Sequence, residues 1–328
     1  MGEARQEREA AQGAHGGRRY LLVSPARDEA AHMRRTLDSV IAQTEPPALW
    51  VIVDDGSTDA TPGILAEYAA AHPWIRPVTR TDRGRRAVGP GVIEAFEAGL
   101  ATVDPAAFDH LCKLDLDLDL PRGYFAALMD RMAAEPRLGT CSGKPWYRDA
   151  RGRWISEKCG DEHSVGMTKF YRTACFRAIG GFERAVMWDA IDCHRARSLG
   201  WIARAFDDPA LAFEHLRPMG SSERGVLAGR ARHGAGQYYM RSHPLYFAAT
   251  ALYRMTRPPY VSGGLAMLWG YLAAWARGAP RMEDDALAAF IRACQRRALV
   301  TGKARAFAAA EAARAPAGGD GEGACGSM

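Results

Sequence analysis

Three aspartates spaced two residues apart, Asp115, Asp117 and Asp119, are the best-placed candidates for chemistry in this 328-residue chain. They alternate with leucines after an apolar run, so a strand continuing through them would carry all three carboxylates on one face. Like charges on one face repel, and burying them unpaired is costly. A divalent cation that also holds a diphosphate would relieve the repulsion, because such cations prefer oxygen ligands. The alternative is a solvent-facing edge strand.

Two further polar clusters follow apolar runs earlier in the chain. The run at 20–24 ends in Pro25–Glu29, and the run at 50–53 ends in Asp54–Asp59. Segments with helical spacing follow each run, so the alternation predicts an α/β fold with a mostly parallel central sheet and flanking helices. Ligands gather at the carboxyl ends of such strands, and we expect the three polar clusters to converge there. Asp28 and Thr61 are expected to cap the first two helices.

Composition narrows the class of protein. With 48% hydrophobic and 25% charged residues, the chain is typical of a globular protein with a substantial core. The net charge of +5 could favour anionic substrates or a membrane surface but is too small and dispersed to predict nucleic-acid binding. Seven scattered cysteines and no apolar signal segment predict a cytoplasmic protein with reduced thiols. No Gly-x-Gly-x-x-Gly follows the first predicted strand, and no Gly-Lys-Ser/Thr loop occurs, which argues against dinucleotide and P-loop enzymes.

Two motifs together carry a family resemblance. Val23-Ser24-Pro25-Ala26-Arg27-Asp28-Glu29, followed after a helix by Val51-Ile52-Val53-Asp54-Asp55-Gly56-Ser57-Thr58-Asp59, resembles the opening of glycosyltransferase family 2. Asp115-Leu116-Asp117 resembles that family's metal-binding Asp-x-Asp. The resemblance covers about residues 20–220. It implies a GT-A fold and inverting transfer of a sugar from a nucleotide-diphosphate-sugar donor, in polysaccharide, glycolipid or other cell-surface glycan synthesis.

The resemblance also implies roles for individual residues. It assigns donor binding to Ser24, Pro25, Arg27, Glu29, Asp54, Asp55, Arg86, Asp115 and Asp117. Asp55 would contact the base, whereas Asp54 would either do the same or support the turn. Asp117 would be the principal ligand of a divalent metal, Mg²⁺ or Mn²⁺, with Asp115 and His215 as further ligands. A purely structural role for His215 stays open. Arg86 lies in the segment where the family usually has an asparagine, which is not evident here. Arg86 would either bind the diphosphate or lie in a solvated loop.

The candidate catalytic base lies in the segment Trp188-Asp189-Ala190-Ile191-Asp192. Many relatives carry Glu-Asp here, and Trp188 replaces the glutamate. Asp189 aligns with the base, which takes the acceptor's hydroxyl proton as the oxygen attacks the anomeric carbon. A helix N-cap is the alternative role for Asp189.

The last third of the chain is predicted to be helical. Residues 245–255 and 261–275 are apolar, rich in Tyr and Trp, and bordered by arginines. The second stretch is short for a membrane span. One interpretation is a membrane-lying or re-entrant element that suits a lipid-linked acceptor, and the other is a helical cap on the catalytic domain. Residues 282–313 are predicted to form one amphipathic helix.

These predictions divide the chain into four regions: a disordered tail at 1–18, a GT-A catalytic domain at 19–222, a helical C-terminal extension with potential for membrane association at 223–313, and a flexible tail at 314–328. The expected partners are a nucleotide-sugar and an acceptor, with no nucleic acid, and the expected location is cytoplasmic with potential attachment to the membrane face. Two other functions stay open. A sugar-nucleotide nucleotidyltransferase would want a glycine-rich loop that Ser24–Glu29 does not supply. An inactive nucleotide-sugar-binding scaffold fits Trp188 but not the intact Asp115, Asp117 and Asp189.

Overall fold

A computed structural model describes residues 18–82, 84, 89–217 and 225–314. Arg86, residues 1–17 of the first predicted tail and residues 315–328 of the last one lie outside the described residues.

Eleven strands in the described residues form two sheets. The strands are β1 (Tyr20–Ala26), β2 (Leu49–Asp54), β3 (Ile75–Thr79), β4 (His110–Leu114), β5 (Leu118–Asp119), β6 (Leu138–Ser142), β7 (Pro145–Arg148), β8 (Trp154–Ser156), β9 (Thr168–Arg172), β10 (Ile202–Ala205) and β11 (Phe213–His215). The main sheet has the order β10-β6-β9-β4-β1-β2-β3, and the small sheet has the order β5-β11-β7-β8. In the main sheet only β9 runs antiparallel to its neighbours, β4 and β6. The predicted mostly parallel sheet is therefore confirmed.

Eleven α-helices in the same residues flank the main sheet or follow it. They are α1 (Met33–Ile41), α2 (Thr61–Ala71), α3 (Pro90–Leu100), α4 (Tyr124–Ala134), α5 (Thr173–Ala178), α6 (Trp188–Ser198), α7 (Gly225–Tyr239), α8 (Pro244–Met255), α9 (Ser262–Ala276), α10 (Asp285–Thr301) and α11 (Lys303–Ala312). The predicted single helix at 282–313 is wrong, since Gly302 adopts a φ of 81° between α10 and α11. Such a φ suits glycine and ends a helix.

The core lies on both faces of the main sheet. Alternate residues of β1 point to opposite faces, so Leu22 packs with Ile52 and Phe125, whereas Val23 packs with Val51 on the other side. This double burial explains why the parallel strands read as continuous apolar runs instead of alternating ones.

The three acidic positions do not share one strand face, and that prediction is wrong. β4 ends at Leu114, and β5 begins at Leu118 in the other sheet. The backbone oxygen of Asp117 accepts a hydrogen bond from the Leu216 N–H (2.8 Å), which draws this segment toward β11. The transition between sheets separates the carboxylates, and Asp119 pairs with the Arg35 guanidinium (2.9 Å).

Asp28 and Thr61 are not helix caps. The N-cap of α1 is His32, and the N-cap of α2 is Ala60; neither makes a side-chain capping bond. Asp28 has a φ of 53° and accepts a hydrogen bond from the Thr58 N–H (2.8 Å), while the Thr61 hydroxyl accepts one from the Glu29 N–H (2.9 Å). Both side chains instead join the loop after β1 to the loop after β2.

Candidate functional site

The ends of β1 and β2 meet, as the sequence predicts. The Asp55 N–H donates to the Ala26 carbonyl (2.8 Å), and Arg27 Nη1 donates to the Asp55 carbonyl (2.6 Å). Arg27 also pairs with Asp82 (2.8 Å). These bonds hold a polar rim along the carboxyl ends of the two strands.

Four of the predicted donor residues, in β1 and at the end of β2, make defined local contacts. The Ser24 hydroxyl is buried and accepts from Trp50 Nε1 (2.8 Å), and Pro25 lies in register with Val53. Asp54 Oδ1 accepts from the Ser57 N–H (2.9 Å), which is the turn-supporting alternative. Asp55 Oδ1 pairs with Arg80 (2.7 Å). Among these four, Asp55 is the one that pairs with a side-chain cation of the described residues.

Asp117 lies in a cluster of charged side chains from four separate segments of the chain. We call Glu29, Asp117, Glu157, His215 and Arg217 the Asp117 cluster. Arg217 Nη2 donates to Asp117 Oδ2 (2.7 Å) and to both oxygens of Glu29 (2.9 and 3.0 Å). His215 Nε2 lies 3.5 Å from Asp117 Oδ2, and its Nδ1 lies 3.0 Å from Glu157 Oε2. The cluster joins the end of β1 to the β4–β5 crossing and to β11.

Electrostatics within the Asp117 cluster favour the charged forms of Asp117 and His215. Burial acts to raise the pKa of Asp117, but His215 and Arg217 outweigh it and hold the pKa below its ordinary value. Burial acts to lower the pKa of His215, but hydrogen bonds to Asp117 and Glu157 raise it to about 9. His215 is therefore an imidazolium at neutral pH in the ligand-free protein. It must lose a proton before it can bind a cation.

A metal fits this cluster only in part. Asp117 Oδ1 is buried and has no hydrogen-bond partner among the described residues, which leaves one hard oxygen available. In the part of the chain that the structure describes, no three His, Cys, Asp or Glu side chains converge on a ready metal site. Phosphate oxygens of a donor would have to complete the coordination shell.

Asp115 has a different environment from Asp117. Lys113 Nζ donates to Asp115 Oδ1 (2.5 Å) and to the Gly166 carbonyl (3.0 Å). Burial raises the pKa of Asp115, against the opposing charge of Lys113. Lys113 thus connects Asp115 to the segment before β9.

That segment leads to Asp189. A Cβ placed on Gly166 would lie 2.9 Å from Asp189 Oδ2, so the glycine leaves just enough space for this carboxylate. Asp189 is in the first turn of α6, and the N-cap is Met187, with a φ of 72°, so Asp189 is not the cap. The candidate base is therefore linked to Asp115 through Gly166 and Lys113.

The first turn of α6 is held by a buried cluster of Lys169 and Tyr171 from β9 with Asp192 from α6. We call these three residues the Lys169 cluster. Lys169 Nζ contacts both oxygens of Asp192 and donates to the Asp189 carbonyl (2.6 Å). The Tyr171 hydroxyl also donates to Asp192. Burial acts to lower the pKa of Lys169, but the Asp192 carboxylate and its neighbours raise it. The cluster fixes the backbone of Asp189 from behind.

Sequence reasoning missed three charged residues that organise the site: Lys113, Glu157 and Lys169. Lys169 carried a readable signal, because a lysine inside an apolar strand is rarely fully buried without a partner. The Lys113 and Lys169 Nζ atoms lie 5.3 and 5.5 Å from Trp188 ring centroids. Trp188, the departure from the usual glutamate, therefore packs against two ammonium groups.

The family profile described as Glycosyl transferase family 2 matches residues 22–190, more than half of the chain. Two curated relatives are Uncharacterized protein Rv1520 of Mycobacterium tuberculosis (strain ATCC 25618 / H37Rv) and Uncharacterized protein Mb1547 of Mycobacterium bovis (strain ATCC BAA-935 / AF2122/97). Each is 46% identical over 61 residues, which is 18% of this chain and 18% of the relative. The matched segment thus spans under a fifth of these relatives.

Solved structures extend the similarity of fold. The mannosyltransferase PcManGT from Pyrobaculum calidifontis, solved with GDP-Man and Mn²⁺, aligns with a TM-score of 0.51 at 19% identity over 95% of this chain and 94% of that one. GalNAc-T7, solved with UDP, GalNAc and Mn²⁺, aligns with a TM-score of 0.50 at 15% identity over 82% of this chain and 56% of that one. The mixed sheet and these structural matches show that the chain has a GT-A fold, and the profile match shows that it belongs to glycosyl transferase family 2.

Proposed function

We propose that the protein is an inverting, metal-dependent glycosyltransferase that moves a sugar from a nucleoside-diphosphate donor to an acceptor hydroxyl. One observation carries the proposal: Asp117, whose buried Oδ1 has no partner among the described residues, and Asp189, the candidate base, are linked through the contacts of Asp115. Lys113 and Gly166 connect the two regions through Asp115. A carboxylate pair with such different environments suits different tasks in one reaction.

The donor would lie along the rim formed by the loops after β1 and β2. Asp55 would contact the base, since its carboxylate is held at the rim by Arg80. Asp115 and Asp117 would face the ribose and diphosphate. Asp117, through Oδ1, and His215, once deprotonated, would hold a Mg²⁺ or Mn²⁺ ion, with Asp115 as a further ligand. When bound, that ion would supply positive charge opposite the diphosphate. The Mn²⁺ in the structures of PcManGT and GalNAc-T7 supports the use of a divalent ion.

Asp189 would act as the general base. Its carboxylate takes the acceptor's hydroxyl proton while the acceptor oxygen bonds to the anomeric carbon and the bond to the diphosphate oxygen breaks. The proton ends on Asp189, and the electron pair of the broken bond leaves with the diphosphate. Lys169 acts as a positioning residue, because it holds the Asp189 carbonyl and the helix behind it.

The proposed role is the synthesis of a cell-envelope glycan on the cytoplasmic side of the membrane, with a lipid-linked acceptor. The exposed apolar surface of the C-terminal helices supports this part of the proposal, because a lipid-linked acceptor must be reached at a membrane.

The proposal is tested by measuring nucleoside diphosphate release from a panel of nucleotide-sugars with Mn²⁺, Mg²⁺ or chelator. The wild type is compared with Asp117→Asn and with the matched control Asp119→Asn, whose carboxylate pairs with Arg35 outside the Asp117 cluster. We expect metal-dependent release from one donor, lost in Asp117→Asn and retained in Asp119→Asn. Absence of both release and calorimetric binding for every donor would contradict the proposal and favour a scaffold.

A further inference from the structure

An apolar face on α9 has no role in the candidate site. Leu265, Trp269, Leu272 and Trp275 are all exposed, with Trp269 at 71% and Trp275 at 65%. Spacings of four, three and three residues place these side chains on one side of the helix over about three turns. Two large aromatic and two aliphatic side chains on one outer face exceed what scattered surface hydrophobics normally account for.

The opposite face of α9 is already used for packing. A Cβ on Gly270 would lie 1.9 Å from the Ala231 carbonyl oxygen of α7, and a Cβ on Gly234 would lie 1.9 Å from the Met267 oxygen of α9. The two backbones are therefore in close contact, and α9 cannot rotate its apolar face inward. A surface helix fixed in this way normally turns a polar face to water. The outer face of α9 is apolar instead.

The chain segment that carries this face has charges of a single sign up to residue 282. Residues 225–282 contain no Asp or Glu and seven arginines: Arg230, Arg232, Arg241, Arg254, Arg257, Arg277 and Arg281. Arg241 pairs with Asp285 from the following segment. Arg257 and Arg277 are exposed just before and just after α9. The apolar face thus lies between two exposed cations.

We propose that the outer face of α9 docks on the surface of an anionic lipid bilayer, with the helix lying in the membrane plane. Trp side chains favour the boundary between hydrocarbon and head groups, and arginines are attracted to anionic phosphates there. α9 has fifteen residues, a length of about 22 Å, and no helix in the described ranges is long and apolar enough to cross a membrane. A helix of this kind lies on a bilayer instead of spanning it.

A second copy of the chain fits this face less well. A symmetric dimer would place the same patch on both subunits and bring Arg257 and Arg277 of one copy near the same two arginines of the other. Like charges at such a contact oppose association. An anionic bilayer instead complements the arginines and covers the apolar face at once.

The test is flotation of the full chain with vesicles of phosphatidylcholine alone or with phosphatidylglycerol, without donor. The key variant is Trp269→Ser with Trp275→Ser. The control is Trp154→Ser, an exposed tryptophan on β8. We expect the wild type and the control to float with anionic vesicles and to bind neutral ones more weakly. The double variant should bind roughly tenfold more weakly or worse.

Three results would overturn the proposal. The wild type could fail to float with either vesicle, or the double variant could float as well as the wild type. Light scattering could also show a dimer that the double variant dissociates, which would make the face an interface between copies. Far-ultraviolet circular dichroism of the double variant excludes unfolding as the cause of lost flotation. Because no donor is present, the result is independent of the proposed transferase activity.

Discussion

The Asp117 and Lys169 clusters both pair carboxylates with cations, yet they differ in how completely the pairing is made. In the Asp117 cluster, Arg217 remains a quarter exposed and Asp117 Oδ1 has no partner among the described residues. In the Lys169 cluster, Lys169 and Asp192 are fully buried, and both oxygens of Asp192 are bonded. An incomplete cluster can exchange partners with a ligand, whereas a complete one holds shape. The first is suited to binding and the second to positioning the base.

The largest expected effect comes from Asp189→Asn, which tests whether Asp189, in the turn held by the Lys169 cluster, is the general base. The amide keeps the shape but cannot accept the proton, so kcat should fall by roughly 10²–10⁴-fold. Donor affinity, measured by calorimetry, should change little, because Asp189 lies outside the Asp117 cluster. Near-normal turnover in this variant would show that another group is the base.

The next effect is on stability and comes from Lys169→Met. It leaves Asp192 as an uncompensated buried carboxylate, and breaking a buried pair in this way costs roughly 3–5 kcal/mol. The measurement is the free energy of unfolding from urea titration of the wild type and the variant.

A double variant, Lys169→Met with Asp192→Leu, serves as the control for that prediction. It removes both charges and should recover much of the lost stability, since no unpaired ion remains. If the single variant unfolded at the wild-type urea concentration, the Lys169 cluster would not be what holds α6. Exposed Arg34→Met, at the surface pair with Glu67, should cost far less.

Asp55→Asn is expected to change the KM for the donor without changing kcat. If Asp55 bonds the base equally in the ground and transition states, its loss raises KM with little change in kcat. A hydrogen bond to a charged group contributes roughly 1.5–3 kcal/mol, so KM should rise roughly ten- to a hundredfold. Initial-rate kinetics over a donor series measure the split. A fall in kcat at unchanged KM would place Asp55 outside the nucleotide site.

The sequence predicted the first of the two clusters far better than the second. Strand ends and acidic motifs are local, and they located Glu29 and Asp117 because parallel strands place their carboxyl ends together. The Lys169–Asp192 pair joins residues from β9 and α6, and no local pattern specifies which buried lysine meets which carboxylate. The same limit explains the wrong expectation for Asp115–Asp119: the tertiary contact of Asp117 with Leu216, and not local alternation, decides where the strand ends.

Helix capping failed for a related reason. Asp28 and Thr61 are residue types that favour N-caps, but their oxygens bond across two loops instead. Those bonds hold the rim that receives the proposed donor. Local propensity was overridden at the position where the fold brings two strand ends together, which is where such conflicts are expected in a functional site.

The smallest effect is predicted for Gly166→Ala, which perturbs Asp189 without removing any charged group. The added methyl would lie 2.9 Å from Asp189 Oδ2 and 3.2 Å from its Cβ, so the carboxylate must shift by a fraction of an ångström. Small misplacements of a catalytic group lower the rate while leaving binding intact, and we expect kcat to fall about fivefold with unchanged donor affinity. Gly63→Ala is the matched control, because nothing lies within 4 Å of its added Cβ and alanine suits the interior of α2. It should leave the rate unchanged and raise the urea midpoint slightly. If Gly166→Ala changed the donor affinity but not kcat, Asp189 would contribute to donor binding. Another residue would then have to be the base.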